Sequence, residues 1–219
     1  MNRRSLPAAA ALATAAALLL TACDGGGDNK PKDSDKIAGA DQGASKSASP
    51  SASASSDAPG RPKVTLPSDL KMTFEQANTG DPTKDAVLSD GAERMRAING
   101  AVGGTDPKYA ALNFYNTGKA LVESSSWVEK FKKADLSITG SISYFNRHAT
   151  IESGKSASLT FCADESKAYS KKIKTGKIIT TAPSKNDFIL YRTGLVKNSD
   201  GVWQTSQIVS TAGDASCVK

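Results

Sequence analysis

Apolar positions in the first half of the folding region recur at helical spacing, and in the second half at a period of two. In "TGDPTKDAVLSDGAERMRAINGAV" Leu88, Ala92, Met95 and Val102 share one helical face. Asp81 ahead of Pro82 supplies a start, because an N-cap carboxylate accepts orphan amides and proline at the first helical position sacrifices no hydrogen bond. "GGTDPKYAALNFYNTGKALV" repeats the device with Asp106 and Pro107. Its stripe is Ala111, Phe114 or Tyr115, Gly118, and Leu121 or Val122. "SSSWVEKFKKAD" predicts a third helix, opened by a capping box of Ser126 and Glu129 and carrying Trp127, Phe131 and Ala134 on one face.

After Ala134 the pattern changes. "SISYFNRHATIES", "SASLTFCAD", "DFILYRTGLVK" and "GVWQTSQIV" are rich in β-branched and aromatic residues and are bounded by Gly, Ser, Asn and Asp. Turn residues at Ser153–Ser156 and Asn198–Gly201 predict two antiparallel hairpins. The basic stretch from Glu165 to Lys185 reads as a long connection containing an irregular strand. Lysines there would guard a short edge at Ile178 to Thr181. Helices followed by strands predict an α+β domain, with the helices packed on one face of a strongly curved antiparallel sheet. Strict alternation puts Tyr144 on the Asn146 and His148 face and Tyr191 on the Asp187 and Thr193 face, and it leaves open which face points inward.

From about Leu66 to Cys217, "LPSD", "TGDPTKDAVLSD", "TFCADESK", "DGVW" and the final cysteine resemble secreted actinobacterial lipoproteins of the nuclear-transport-factor-2-like (SnoaL-like) type. The resemblance implies a helix-backed, cone-shaped sheet around a small pocket. It implies no particular reaction, since that scaffold hosts enzymes, transport factors and immunity proteins alike. Homodimers are common in this fold class, so the resemblance allows one.

The start of the chain has a different character. Arg3 and Arg4, the apolar run Ala8–Leu20 and the small residues Thr21 and Ala22 have the three parts of an export signal. Leu20-Thr21-Ala22-Cys23 resembles the bacterial lipobox. That likeness implies a diacylglyceryl group on Cys23, which becomes the new N-terminus after cleavage. Two acyl chains give stable anchoring where one gives marginal binding. The chain therefore divides into a signal peptide over 1–22, a tether over 23–63 and a globular domain over 64–219. The tether, with "GASKSASPSASASSDAPG" at its centre, has too few large apolar residues to offset its ordering entropy. As a flexible coil it would span about 35 Å.

Composition adds less. The 219 residues carry a formal net charge of +6, too modest by itself to argue for nucleic acid, and no nucleic-acid partner is expected. Of the three cysteines, lipidation of Cys23 leaves Cys162 and Cys217. In an exported protein these two are expected to form a disulfide, with two free buried thiols as the alternative.

Candidate chemistry is sparse. His148 is the single histidine, with Arg147, Asn146 and Glu152 near it in sequence. With no cysteine to spare, a zinc site is not expected, and neither is any other metal or cofactor. There is no G-x-S-x-G, and "SGKS" and "TGK" lack the earlier glycine of a phosphate loop. Candidate pocket residues are Tyr144, His148, Asp164, Tyr191 and Trp203, of which His148 with Asp164 or a tyrosine could move protons. Lys167, Lys171, Lys172, Lys174 and Lys177 are candidate contacts to anionic lipid or wall polymers. Their plain alternative is a solvated, edge-guarding loop. The reading that fits these features is a lipid-anchored protein on the extracellular face of the cell membrane. Its non-catalytic module would bind a small apolar or amphipathic ligand, or an envelope protein. The competing reading is a SnoaL-like isomerase, cyclase or dehydratase.

Overall fold

A computed structural model describes residues 60–218 except residue 77. The signal peptide, Cys23 and nearly all of the tether lie outside the described residues. In chain order the elements are β1 (Leu70–Phe74), α1 (Pro82–Val102), α2 (Ala110–Tyr115), α3 (Gly118–Lys133), β2 (Leu136–Ile151) and β3 (Ser156–Lys172). They are followed by β4 (Ile178–Ile179), a 3-10 turn (Lys185–Asp187), β5 (Phe188–Lys197) and β6 (Trp203–Ala212). The strands form one sheet in the order β1-β2-β3-β5-β6, with β4 paired to the far end of β3. The helices pack on its inner face, giving the expected α+β architecture. No helix among the described residues is long and apolar enough to cross a membrane.

Helix α1 follows its sequence signals. The Asp81 carboxylate accepts from the amides of Thr83 and Lys84, with Pro82 at the first position. The second and third helices depart from them. Asp106 gathers the amides of Ala110, Ala111 and Leu112, but it is not the N-cap and Pro107 is not in the helix: α2 starts after Tyr109 and ends at Tyr115. There the chain turns extended, Asn116 bridges to Thr205, and the Thr117 amide donates to the Thr205 carbonyl at 2.9 Å. The Ser126–Glu129 capping box does not form, because α3 already runs from Gly118 through the serines. Ala120, Ser124 and Val128, one helical turn apart, form its buried face. These small residues let α3 lie close to its neighbours, and that packing outweighs the local preference of serine for a cap.

The sheet is antiparallel except at β1, a strand not foreseen in the sequence, which pairs parallel to β2. β3 is also longer than expected. The first part of the basic stretch continues the strand to Lys172 instead of leaving the sheet. Three register shifts bend the sheet: Ser141/Ser143 and Phe145/His148 in β2, and Gly194/Leu195 between β5 and β6. Such bulges kink a strand and increase its twist. Where β1 joins β2, Gly140 has φ +98°, and a Cβ there would lie 2.1 Å from the Lys167 carbonyl oxygen. Gly140→Ala is therefore expected to lose about 1–3 kcal/mol through strain, read as a lower urea midpoint at unchanged slope.

Alternation sorts the two faces of the sheet. Leu159, Phe161 and Ala163 of β3 point inward to a core that includes Val87, Leu88, Leu112, Tyr144, Leu195 and Trp203. Cys162 points outward, where Leu190, Phe145 and Phe188 surround its disulfide to Cys217. The expected bridge is present and pins the C-terminal tail to the outer face. Cys162 lies within β3. Folded contacts begin ahead of Val64: the Arg61 guanidinium pairs with buried Asp90, whose other oxygen accepts from the Trp203 amide at 2.8 Å.

Candidate functional site

Between α1, α3 and the inner face of the sheet lies a cavity of about 240 Å³. Helix α1 contributes Arg94, Met95, Ile98 and Asn99, which share a face because they fall one turn apart in adjacent pairs. α3 contributes Glu123, Ser124 and Trp127 by the same spacing. Alternate residues of β2 (Ile138, Ile142, Tyr144) and β6 (Ile208, Ser210) close the opposite wall, with Glu165 from β3 and Tyr191 from β5. Arg94 and Tyr144 are buried, whereas Glu123, Trp127 and Ser210 are exposed, so the charged end is deep and the mouth lies beside Trp127.

An aromatic ladder sets the two tyrosines. Phe74 stacks on Tyr144 at 4.6 Å, Phe161 meets Tyr144 edge-on at 5.9 Å and stacks on Tyr191 at 5.0 Å. These are cross-strand neighbours, direct at Phe74–Tyr144 and Phe161–Tyr191. Burial raises both hydroxyls well above the ordinary phenol range, so both are protonated at neutral pH and available as donors. Among the described residues, the Tyr144 hydroxyl and the Asn99 side-chain oxygen find no hydrogen-bond partner. Asn99 is close enough to lower the Tyr144 pKa slightly against that burial, but not to complete a bond in good geometry.

Arg94 is the charged group at the floor. Its Nε donates to Asn116 Oδ1 at 2.6 Å, Nη2 to Ser124 Oγ at 3.0 Å and Nη1 to the Met95 sulfur at 3.4 Å. Asn116 is held in turn by its own donation to the Leu112 carbonyl, at 2.8 Å. No carboxylate among the described residues forms an ion pair with Arg94. Burial lowers its pKa to about 10, so it stays charged at neutral pH. Glu165 is the other unusual group. Burial, with a smaller repulsion from Asp187, lifts its carboxyl to about 7.

The candidate residues read from the sequence divide between cavity and elsewhere. Tyr144 and Tyr191 line the cavity; His148, Asp164 and Trp203 do not. His148 is exposed because Asn146 takes a positive φ of 49° at the Phe145/His148 bulge. The extra residue inverts the alternation, sending Ala149 inward instead, so Tyr144 and His148 do not share a face. Asp164, on the outer phase of β3, accepts from the Ser166 hydroxyl at 2.6 Å. Trp203 is core. Among the lysines, Lys171 pairs with Asp69 and Lys172 donates to the Ala134 carbonyl, while Lys167, Lys174 and Lys177 are exposed. Arg94 and Glu165 were missed. For Glu165 a signal existed, since counting by twos from Leu159, Phe161 and Ala163 lands on it. Among the described residues no group of acidic, histidine and cysteine side chains is placed to hold a metal ion.

No family model matches the chain, and no curated protein matches it. Solved structures similar to it include a ketosteroid isomerase-like protein from Erwinia carotovora atroseptica, at 12% identity, covering 60% of this chain and 97% of that one, TM-score 0.42. The intermembrane space region of chloroplast protein ARC6 matches at 11% identity, covering 63% and 99%, TM-score 0.42. A protein from Catenulispora acidiphila matches at 12% identity, covering 61% and 94%, TM-score 0.38.

Proposed function

We propose that the chain is a cell-envelope lipoprotein whose folded domain binds a small amphipathic molecule in the cavity under α1 and α3. The observation that carries the binding reading is the cavity's polarity. A buried guanidinium and an unpartnered tyrosine hydroxyl sit at one end, and isoleucine walls lead to a half-open mouth. Ligand sites are typically concave and mostly apolar, with a few placed polar groups. The envelope assignment rests on the lipobox-like start and on the Cys162–Cys217 bridge, a bond that persists in oxidising compartments. Native mass spectrometry of protein taken from its own membrane is expected to show diacylglyceryl on Cys23 and a small molecule that leaves on denaturation. An unmodified N-terminus would remove the anchor. A bare polypeptide mass in repeated preparations would remove the bound ligand.

One observation favours a second reading. A carboxyl titrating near 7 beside protonated tyrosines has the acid–base character of an isomerase or dehydratase site. In that reading Glu165 moves the proton and Tyr144 or Tyr191 donates to the developing oxyanion, with His148 taking no part. Solvent-deuterium incorporation into the released ligand, lost in Glu165→Gln, is what this reading expects.

A further inference from the structure

We infer that the cavity takes a small amphipathic monocarboxylate, its carboxylate gripped by the unspent guanidinium donors of Arg94 and its apolar body lying along the isoleucine wall. The inference rests on the binding reading above and names its ligand class.

The reasoning is a count of donors. A guanidinium offers five N–H groups and has no acceptor. Three of those on Arg94 are committed, one to an amide oxygen, one to a hydroxyl and one to a thioether, and none of these partners carries charge. Two N–H groups remain, on a side chain that is buried and lines the cavity. A cation removed from water without an anion costs several kcal/mol, and a carboxylate meeting paired N–H groups offsets that cost best, because the planar fork matches it. The two carboxylates nearby do not supply it. Glu123 acts on Arg94 only through space and pairs with Lys119 at 3.5 Å at the surface. Glu165 lines the same cavity but forms no ion pair with Arg94, and burial favours its neutral form. Among the described residues, Arg94 is therefore a fixed cation without an ion-pair partner, at the closed end of a pocket.

Size and walls set the rest of the ligand. The 240 Å³ volume exceeds the roughly 150 Å³ of an apolar cavity that holds benzene, leaving room for roughly ten non-hydrogen atoms. Ile98, Ile138, Ile142 and Ile208 provide the apolar lining, and Trp127, 38% exposed, stands at the mouth. A single acid group with a short apolar body fits this arrangement.

Calorimetric titration of the full-length chain in lipid nanodiscs, freed of copurified small molecules, tests this with 3-phenylpropionate, its uncharged amide and 3-phenylpropylamine. The acid is expected to bind at least about ten-fold more tightly than either analogue. Arg94→Met is expected to weaken the acid by about ten-fold or more and the amide by much less, so that the preference for the acid is lost. Arg94→Lys, which keeps the charge and loses the fork, should fall between. If the amide or the amine binds wild-type protein as well as the acid does, the carboxylate class is overturned while the binding reading stands. If none of the three binds, both fall. Should Arg94→Met fail to fold, the wild-type comparison among the three compounds decides alone.

Discussion

Removing the Cys162–Cys217 bridge is expected to lower the unfolding free energy by about 4 kcal/mol, a large share of the roughly 5–15 kcal/mol that holds an ordinary domain folded. The bridge closes a loop of 55 residues that contains much of β3, all of β5 and all of β6. In the chain-entropy model that closure removes about 14 cal/mol/K from the unfolded ensemble, hence the figure. The bridge also holds local structure. Cys217 is buried against Cys162 and Leu190, and without the bond the tail keeps a turn in which Asp214 accepts from Ser216, Cys217 and Val218, with a loose Arg192–Asp214 pair at 4.0 Å. Cys162→Ala/Cys217→Ala, compared with wild type by urea denaturation under oxidising conditions, is the measurement, and reductant should bring the wild type close to the variant. A loss under about 1 kcal/mol would mean that the Leu190, Phe145 and Phe188 cluster, not the covalent bond, holds the tail.

This bridge was legible by elimination among three cysteines. Other features were legible only where local chemistry and tertiary packing agree. α1 is the clearest case: Asp81, Pro82 and the Leu88–Ala92–Met95 stripe all act within a few residues. The α2–α3 boundary was hidden because Asn116 and Thr117 leave the helix to bridge to Thr205, a contact no local window contains. Strand β3 was cut short because lysines resemble loop; in the fold its basic end still pairs residue for residue with β2, as in Leu136 with Lys172. β1 was missed since "LKMTF" is short and its partner Gly140–Tyr144 lies far along the chain.

The site was harder to read than the fold, for physical reasons. Alternation assigned Tyr144 and Tyr191 to faces without saying which face lines the cavity, and His148 was placed on the wrong face by a single inserted residue at Asn146. Arg94 was invisible because a charged residue beside an apolar stripe normally faces water. It becomes interior only because Ala120, Ser124 and Val128 bring α3 over it, and because Asn116 and Ser124 then accept its donors. The polar groups that define the cavity thus depend on α3 starting at Gly118. That same start removes the capping box suggested by local sequence.

Glu165 yields the second large effect: Glu165→Gln is expected to be more stable than wild type at pH 8 and close to it at pH 4. Burial, and secondarily Asp187, raises the folded carboxyl from its ordinary 4.5 to about 7. Between those values the folded protein holds a proton that the unfolded chain has released, so wild-type stability falls as pH rises across the window. Each pH unit is worth about 1.4 kcal/mol, so the full loss above pH 7 is about 3 kcal/mol. Glutamine does not titrate, and its amide occupies nearly the same volume in the same place. The difference between variant and wild type should therefore open from pH 4.5 upward and level off above pH 7. Asp187 fixes the sign of its own contribution. Its carboxylate accepts from the Ser184 amide at 2.6 Å, so it is held on the 3-10 turn where its charge opposes ionisation of Glu165. Asp187→Asn should narrow the gap without closing it, because burial is the larger cause. Urea denaturation of the three proteins at pH 4, 6 and 8 provides the check. If the wild-type and Glu165→Gln stabilities run parallel across that range, Glu165 is an ordinary solvated carboxylate, and the acid–base reading of the cavity loses its proton carrier.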